Sequence, residues 1–246
     1  MKRLLAVFAH PDDEAFGPGG TLAKYAEEGV EIHILCATKG EAGENRIKNL
    51  ESRAKNGEET RIEKIREKEL LKSAEILGVA RVEFLDFIDG RLCNEIYHEL
   101  ADKIIKKINS FKPQVVLTNE RRGVSGHLDH IAVSMITTYS YLRTKVANKL
   151  YYNCLPEEMR DKRMDEYFVY FPEGYSKGEI TTRIDYTKFW DRKVAAMLAH
   201  ESQIKDVKNI LARWEKWPKI DNFILQYHRG VEVKLSETDL FAGISH

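Results

Sequence analysis

The stretch RLLAVFAHPDDEAFGPGGTLAKYAEEG, residues 3–29, limits the possible folds more than any other part of the chain. It opens on an apolar run too short for a helix and without polar alternation, as expected of a strand buried on both faces. The run stops at His10, Asp12, Asp13 and Glu14, an imidazole and three carboxylates within five residues. The next segment reads as a helix capped by Thr21 and running to about Glu28, with Gly29 just beyond its end. VEIHILCAT follows as a second strand. Strand, helix and strand with short links imply a parallel pair joined by a right-handed crossover.

The alternation continues. Residues 39–57 are polar and glycine-rich and read as a loop. Ile62, Ile65, Leu70, Ala74 and Leu77 then space an amphipathic helix that Gly78 stops. RVEFLDF is a third strand, EIYHELADKIIKKINSF a helix, and KPQVVLTNE a fourth strand. A helix opens near Leu128, EYFVYF reads as a fifth strand, and helix signals return from Tyr186 to about Lys205. VEVKL near the end reads as a late strand. This order predicts an α/β fold, an open and mostly parallel sheet with helices on both faces. The chain, 1–246, is read as a single domain, with its core sheet in about 1–172 and a helical and specificity region in about 173–246.

Lysine plus arginine and aspartate plus glutamate both number 39, so the formal net charge is zero and no bulk attraction to nucleic acid or an anionic membrane is expected. The first apolar run is too short for a signal peptide, and no window approaches the ~20 apolar residues of a membrane helix. A soluble cytoplasmic protein is the expectation. Cys36, Cys93 and Cys154 are odd in number and far apart, which argues against a disulfide framework or a zinc knuckle.

In open α/β sheets, ligands bind beyond the carboxyl ends of the strands. His10 to Glu14 lies just past the first strand, and GHLDH, residues 126–130, lies past the fourth. His127 and His130 are three apart at a helix start, so both imidazoles can enter one pocket. With His10 and Asp13, two imidazoles and a carboxylate can surround one divalent ion and leave a position open, the pattern of a catalytic zinc site. A neighbouring carboxylate can then act as general base and acid. An imidazole can stabilise charge on a carbonyl oxygen. Asp129 can hold that imidazole in one tautomer and keep it cationic.

AHPDDEAFGPGG, TKGEAG and GVSGHLDHIAV, with REKELLKSAEILGV, LDFIDGRL and KVAAMLAHESQ, resemble the zinc-dependent N-acetylglucosaminyl deacetylases. The likeness covers most of the chain in order. It implies a Rossmann-like fold and one zinc per subunit, held by His10, Asp13 and His130. It further implies Asp12 as general base and acid, and His127 as oxyanion stabiliser supported by Asp129. Arg66 and Asp89 would bind sugar hydroxyls, with His200 near the pocket. The substrate implied is a small N-acetylated amino-sugar glycoside, related to a bacillithiol precursor or to chitobiose, and the likeness also implies a trimer or hexamer. Ser125 stands where mycothiol-pathway members carry tyrosine, which points away from mycothiol chemistry. Two other readings use the same residues. Two histidines and one carboxylate also serve non-haem iron oxygenases, against which the strand–helix alternation argues. A non-catalytic sugar- or partner-binding protein could keep the fold, against which Asp12 and His127 argue.

Overall fold

The apolar run forms β1, Arg3–Phe8, in a computed structural model that describes residues 1–43, 59–94, 97–160 and 170–244. Helices α1, Asp13–Phe16, and α2, Gly19–Glu27, lead to β2, Glu31–Cys36. Next come α3, Ile62–Leu77, β3, Arg81–Phe84, α4, Tyr97–Phe111, and β4, Val115–Asn119. A short α5, Gly123–Gly126, precedes α6, Leu128–Arg143, and β5, Lys149–Cys154. The remaining elements are β6, Thr182–Asp185, α7, Trp190–Leu198, α8, Ile204–Trp214, and β7, Ile220–His228.

Among the described residues the strands form one seven-stranded sheet in the order β3-β2-β1-β4-β5-β7-β6. The first five are mutually parallel, and β7 runs antiparallel to both β5 and β6. Side chains of β1 alternate between two apolar layers. Leu4, Ala6 and Phe8 pack with Leu22, Leu77 and Met197, while Leu5 and Val7 pack with Leu100, Ile104 and Val133. Burying each large aliphatic side chain contributes ~1.5–3 kcal/mol, so both helical layers are anchored on this one strand.

Several sequence expectations change. Thr21 lies inside α2 rather than at its cap; its amide and hydroxyl both donate to Asp221 Oδ2 at 2.8 Å, so a β7 carboxylate caps the helix from outside. The fifth strand in chain order is Lys149–Cys154, not EYFVYF. Residues 161–169 of that region lie outside the described residues, and Tyr170 and Phe171 are not in a strand. VEVKL is irregular and largely exposed, and the late strand precedes it at Ile220–His228. The helix expected over 186–205 is α7, and beyond a turn at Glu201–Gln203 the segment VKNILARWEKW, read as a helical continuation after a break, lies largely in α8. Strands β6 and β7 both lie beyond residue 172, in the region read as mainly helical with one late strand, and only β7 opposes the direction of the others. Residues 44–57 of the loop expected over 39–57 lie outside the described residues.

Candidate active site

Strands β1 and β4 are neighbours, and the chain leaves them towards opposite edges of the sheet. The crevice beyond their carboxyl ends is the switch point where such sheets hold ligands. His10 and Asp13 enter it from β1, and His127 and His130 from the start of α6. Asp13 Oδ2 accepts the amides of Ala9 and His10, at 3.0 and 3.1 Å, which aims Oδ1 at His130 Nε2, 3.1 Å away. His10 Nδ1 stands 3.1 Å from the same His130 nitrogen. His130 Nε2 therefore lies 3.1 Å from both His10 Nδ1 and Asp13 Oδ1.

The far side of each ring says which nitrogen is bare. His130 Nδ1 lies 3.0 Å from the Gly123 carbonyl, so it carries the proton and Nε2 offers a lone pair. His10 Nε2 faces Asp89 Oδ1 at 2.9 Å and Asp129 Oδ2 at 3.3 Å, so it too carries a proton and Nδ1 is left for the crevice. A proton on His10 Nδ1 donated to His130 Nε2, or a metal ion bound by both nitrogens, satisfies this approach. Burial disfavours charge on His10, but hydrogen bonds to Asp129 and Asp89 and the charge of Asp13 outweigh it, pushing His10 up to about 10. Burial likewise opposes ionisation of Asp13, yet His130 and His10 hold it well below the usual carboxylate range. Ligands ~2.0–2.1 Å from a tetrahedral ion stand roughly 3.3 Å apart, close to the 3.1 Å that separates His130 Nε2 from His10 Nδ1 and from Asp13 Oδ1, so each of these two pairs suits zinc. His10, His127 and His130 also form a compact trio, as do His10, Asp89 and Asp129. The carboxylates of the second trio are already engaged, Asp129 by the Gly90 and Leu92 amides and Asp89 by that of Ala42.

Two further groups border the converging atoms. The Asp12 side chain is 15% exposed, against 8% for Asp13 and 1% for Asp129, which makes it the most open of these three carboxylates. Burial pushes it up to about 6, against the pull of the Arg66 guanidinium 3.0 Å away. The His127 ring centre is 4.6 Å from that of His10. Its Nδ1 accepts the Asp129 amide at 3.2 Å, which leaves the proton on Nε2. Burial and the charges of His10 and His130 push His127 down to about 4. Asp129 thus sets the tautomer through its backbone, and His127 is a neutral donor rather than the cation expected.

The profile of the PIG-L family, described as GlcNAc-PI de-N-acetylase, matches residues 5–140, the span that holds all of these side chains. The chain belongs to the PIG-L family. The mycothiol S-conjugate amidase of Streptomyces coelicolor is 30% identical to it over 98% of this chain and 97% of its own. The 1D-myo-inositol 2-acetamido-2-deoxy-alpha-D-glucopyranoside deacetylase of Actinosynnema mirum is 30% identical over 82% of this chain and 81% of its own. Two solved structures share the fold. The N,N'-diacetylchitobiose deacetylase of Pyrococcus horikoshii superposes with a TM-score of 0.67 at 20% identity, covering 92% of this chain and 84% of its own. The 4-carboxy-2-hydroxymuconate hydratase of Pseudomonas putida has the same TM-score and identity over 95% and 100%. A hydratase on this fold means that the side chains, not the architecture, must carry the argument about reaction.

In this PIG-L protein the three residues expected to meet the sugar are engaged by protein groups instead. Arg66 is 4% exposed and donates to Gly40 O, Pro11 O and Asp12. Gly40, at φ +70°, is required there, because a Cβ would come within 2.4 Å of the guanidinium. Asp89 holds His10 and the Ala42 amide. His200 is fully buried, 2.7 Å from Glu14. Its burial removes it from substrate contact. Ser73, whose hydroxyl donates to Glu14, escaped the sequence reading. The signal was present, since Arg66, Glu69 and Ser73 put polar groups on the buried stripe of α3 at helical spacing.

Proposed function

We propose that this protein is a zinc-dependent N-deacetylase that releases acetate and a free amine from the N-acetylglucosamine unit of a small glycoside. The observation that carries the reading is His130 Nε2 set 3.1 Å from both His10 Nδ1 and Asp13 Oδ1, with the partly open carboxylate of Asp12 adjacent in the chain to Asp13. Those three atoms would hold the metal, which when bound supplies Lewis-acid polarisation and a more acidic water. Asp12, with its pKa raised to about 6, is mostly ionised at neutral pH yet able to carry a proton. It takes a proton from the attacking water and delivers it to the departing nitrogen. His127 Nε2–H donates a hydrogen bond to the carbonyl oxygen as negative charge builds there, a role a neutral imidazole can fill. Asp89 and Asp129 hold the His10 ring, and Arg66 steadies Asp12. The deacetylase and amidase relatives support the amide-bond assignment, and the former names an acetylated glucosamine in its substrate. Three free cysteines, and no helix among the described residues long and apolar enough to cross a membrane, support placement in the cytoplasm.

The test is acetate release from N-acetylglucosamine, diacetylchitobiose, and N-acetylglucosaminyl malate and inositol. Wild type loaded with zinc is compared with chelated protein and with Asp12→Asn. Removing a general base is expected to cost ~10²–10⁴-fold in kcat. Turnover that survives both chelation and Asp12→Asn would overturn the assignment; so would silence on every substrate.

A further inference from the structure

Asp12 precedes α1 at φ 119° and ψ −25°, a conformation that costs a non-glycine residue about 1–3 kcal/mol. Something must hold it there. Its amide donates to Glu14 Oε2 at 3.0 Å. The other oxygen of Glu14 accepts the Ser73 hydroxyl at 2.5 Å and lies 2.7 Å from His200 Nε2. Glu14, Ser73 and His200 are all completely buried, so none can touch a substrate. The contact spans 186 residues of sequence and joins α1 to the turn after α7, while Ser73 brings in α3. Three donors converge on one carboxylate, and only a carboxylate can accept from both sides. A glutamine would turn an N–H towards either the Asp12 amide or the Ser73–His200 pair.

We propose that Glu14, held by His200 and Ser73, is a positioning residue that keeps Asp12 in its strained turn with its carboxylate facing the crevice. This rests on the reading of Asp12 as the general base. His200 then acts on turnover through two successive hydrogen bonds.

The test compares Glu14→Gln, His200→Leu and His200→Gln, each checked for metal content and melting temperature, by steady-state kinetics and crystallography. A displacement near 1 Å at a reacting group costs on the order of 10²-fold. Glu14→Gln and His200→Leu are therefore expected to lose about 10–100-fold in kcat, with KM and metal content unchanged. In their crystal structures the Asp12 turn should relax or its carboxylate should leave Arg66. His200→Gln, which keeps a donor, should recover most of the rate. Ser73→Ala removes one donor without changing charge, and is expected to lower kcat several-fold even where Glu14→Gln fails to fold. Variants with full metal content, Asp12 in its wild-type turn and wild-type kcat overturn the proposal. Losses that merely track metal content or melting temperature overturn it too. If wild type hydrolyses none of the panel, the deacetylase reading fails, and the position of Asp12 in the variant crystals still decides this one.

Discussion

The carboxylate of Asp129 accepts the Gly90 and Leu92 amides and lies 3.3 Å from His10 Nε2, while its own amide donates to His127 Nδ1. One residue therefore orients two imidazoles through two different groups. From sequence, the neighbouring His127 was the natural partner for its side chain, because GHLDH places them together. The fold instead turns the carboxylate inward against the Gly90 loop, and burial holds it there despite the desolvation that opposes its charge. His10, the Gly90 amide and the His127 ring offset that cost and keep Asp129 below its ordinary pKa. Carboxylates that hold a metal-ligating histidine typically affect metal affinity by 10–100-fold. Asp129→Asn is expected to weaken zinc binding by about that factor, read by competition with a chelating dye. Asp89→Asn, acting on the same nitrogen, should do likewise. An unchanged affinity in either variant would remove that residue from the support of His10.

At the scale of elements, His200 shows how the late helices bear on the first turn. It faces Glu14 on α1, Asp12 before it, and Glu69 on α3. Burial lowers its pKa, but the charges of these three carboxylates and the Glu14 hydrogen bond raise it above the usual value. A histidine that binds its proton more tightly when folded contributes stability that is complete below its unfolded pKa of ~6.5. That contribution is lost as pH rises through the raised folded value. The melting-temperature advantage of wild type over His200→Gln should accordingly be largest near pH ~6 and shrink above it. An advantage that grew with pH would show that His200 is neutral in the fold. The sequence disclosed β1, β2, β4, α3, α4 and α6, whose apolar spacing is regular, and it placed both polar clusters at strand ends. It hid β5, where Lys149, Tyr151, Tyr152 and Asn153 make a fully buried strand look polar. Lys149 is tolerated there because Glu237 lies 2.5 Å away, a partner 88 residues distant that no local window contains. VEVKL misled for the opposite reason, since it alternates like a strand yet finds no sheet edge. The roles of Arg66, Asp89 and His200 were hidden likewise, because which donors a buried group meets depends on tertiary packing.

Across the whole molecule, the converging donors belong to segments that the unfolded chain keeps apart. His10 and His130 are 120 residues distant in sequence, and only the β1–β4 pairing and the start of α6 bring them together. Asp13 reaches His130 because β1 ends where α1 begins. A metal ion that meets all three donors thus binds the folded protein far better than the unfolded one, and its binding energy adds to stability by mass action. Free zinc at 1,000 times its dissociation constant would contribute ~4 kcal/mol. For a chain of this size each kcal/mol shifts the melting temperature by roughly 2–4 °C. Chelation is therefore expected to lower it by ~8–16 °C, followed by scanning calorimetry of zinc-loaded and chelated samples. We expect a single transition in both, because β6 and β7 extend the sheet of the first five strands and leave no separate unit to melt alone. Asp13→Asn removes one converging donor and should flatten the response to zinc while leaving the chelated melting temperature near that of wild type. A chelated protein that melted with the zinc-loaded one would mean that these three atoms do not bind the ion, and the assignment of His10, Asp13 and His130 would fall with it.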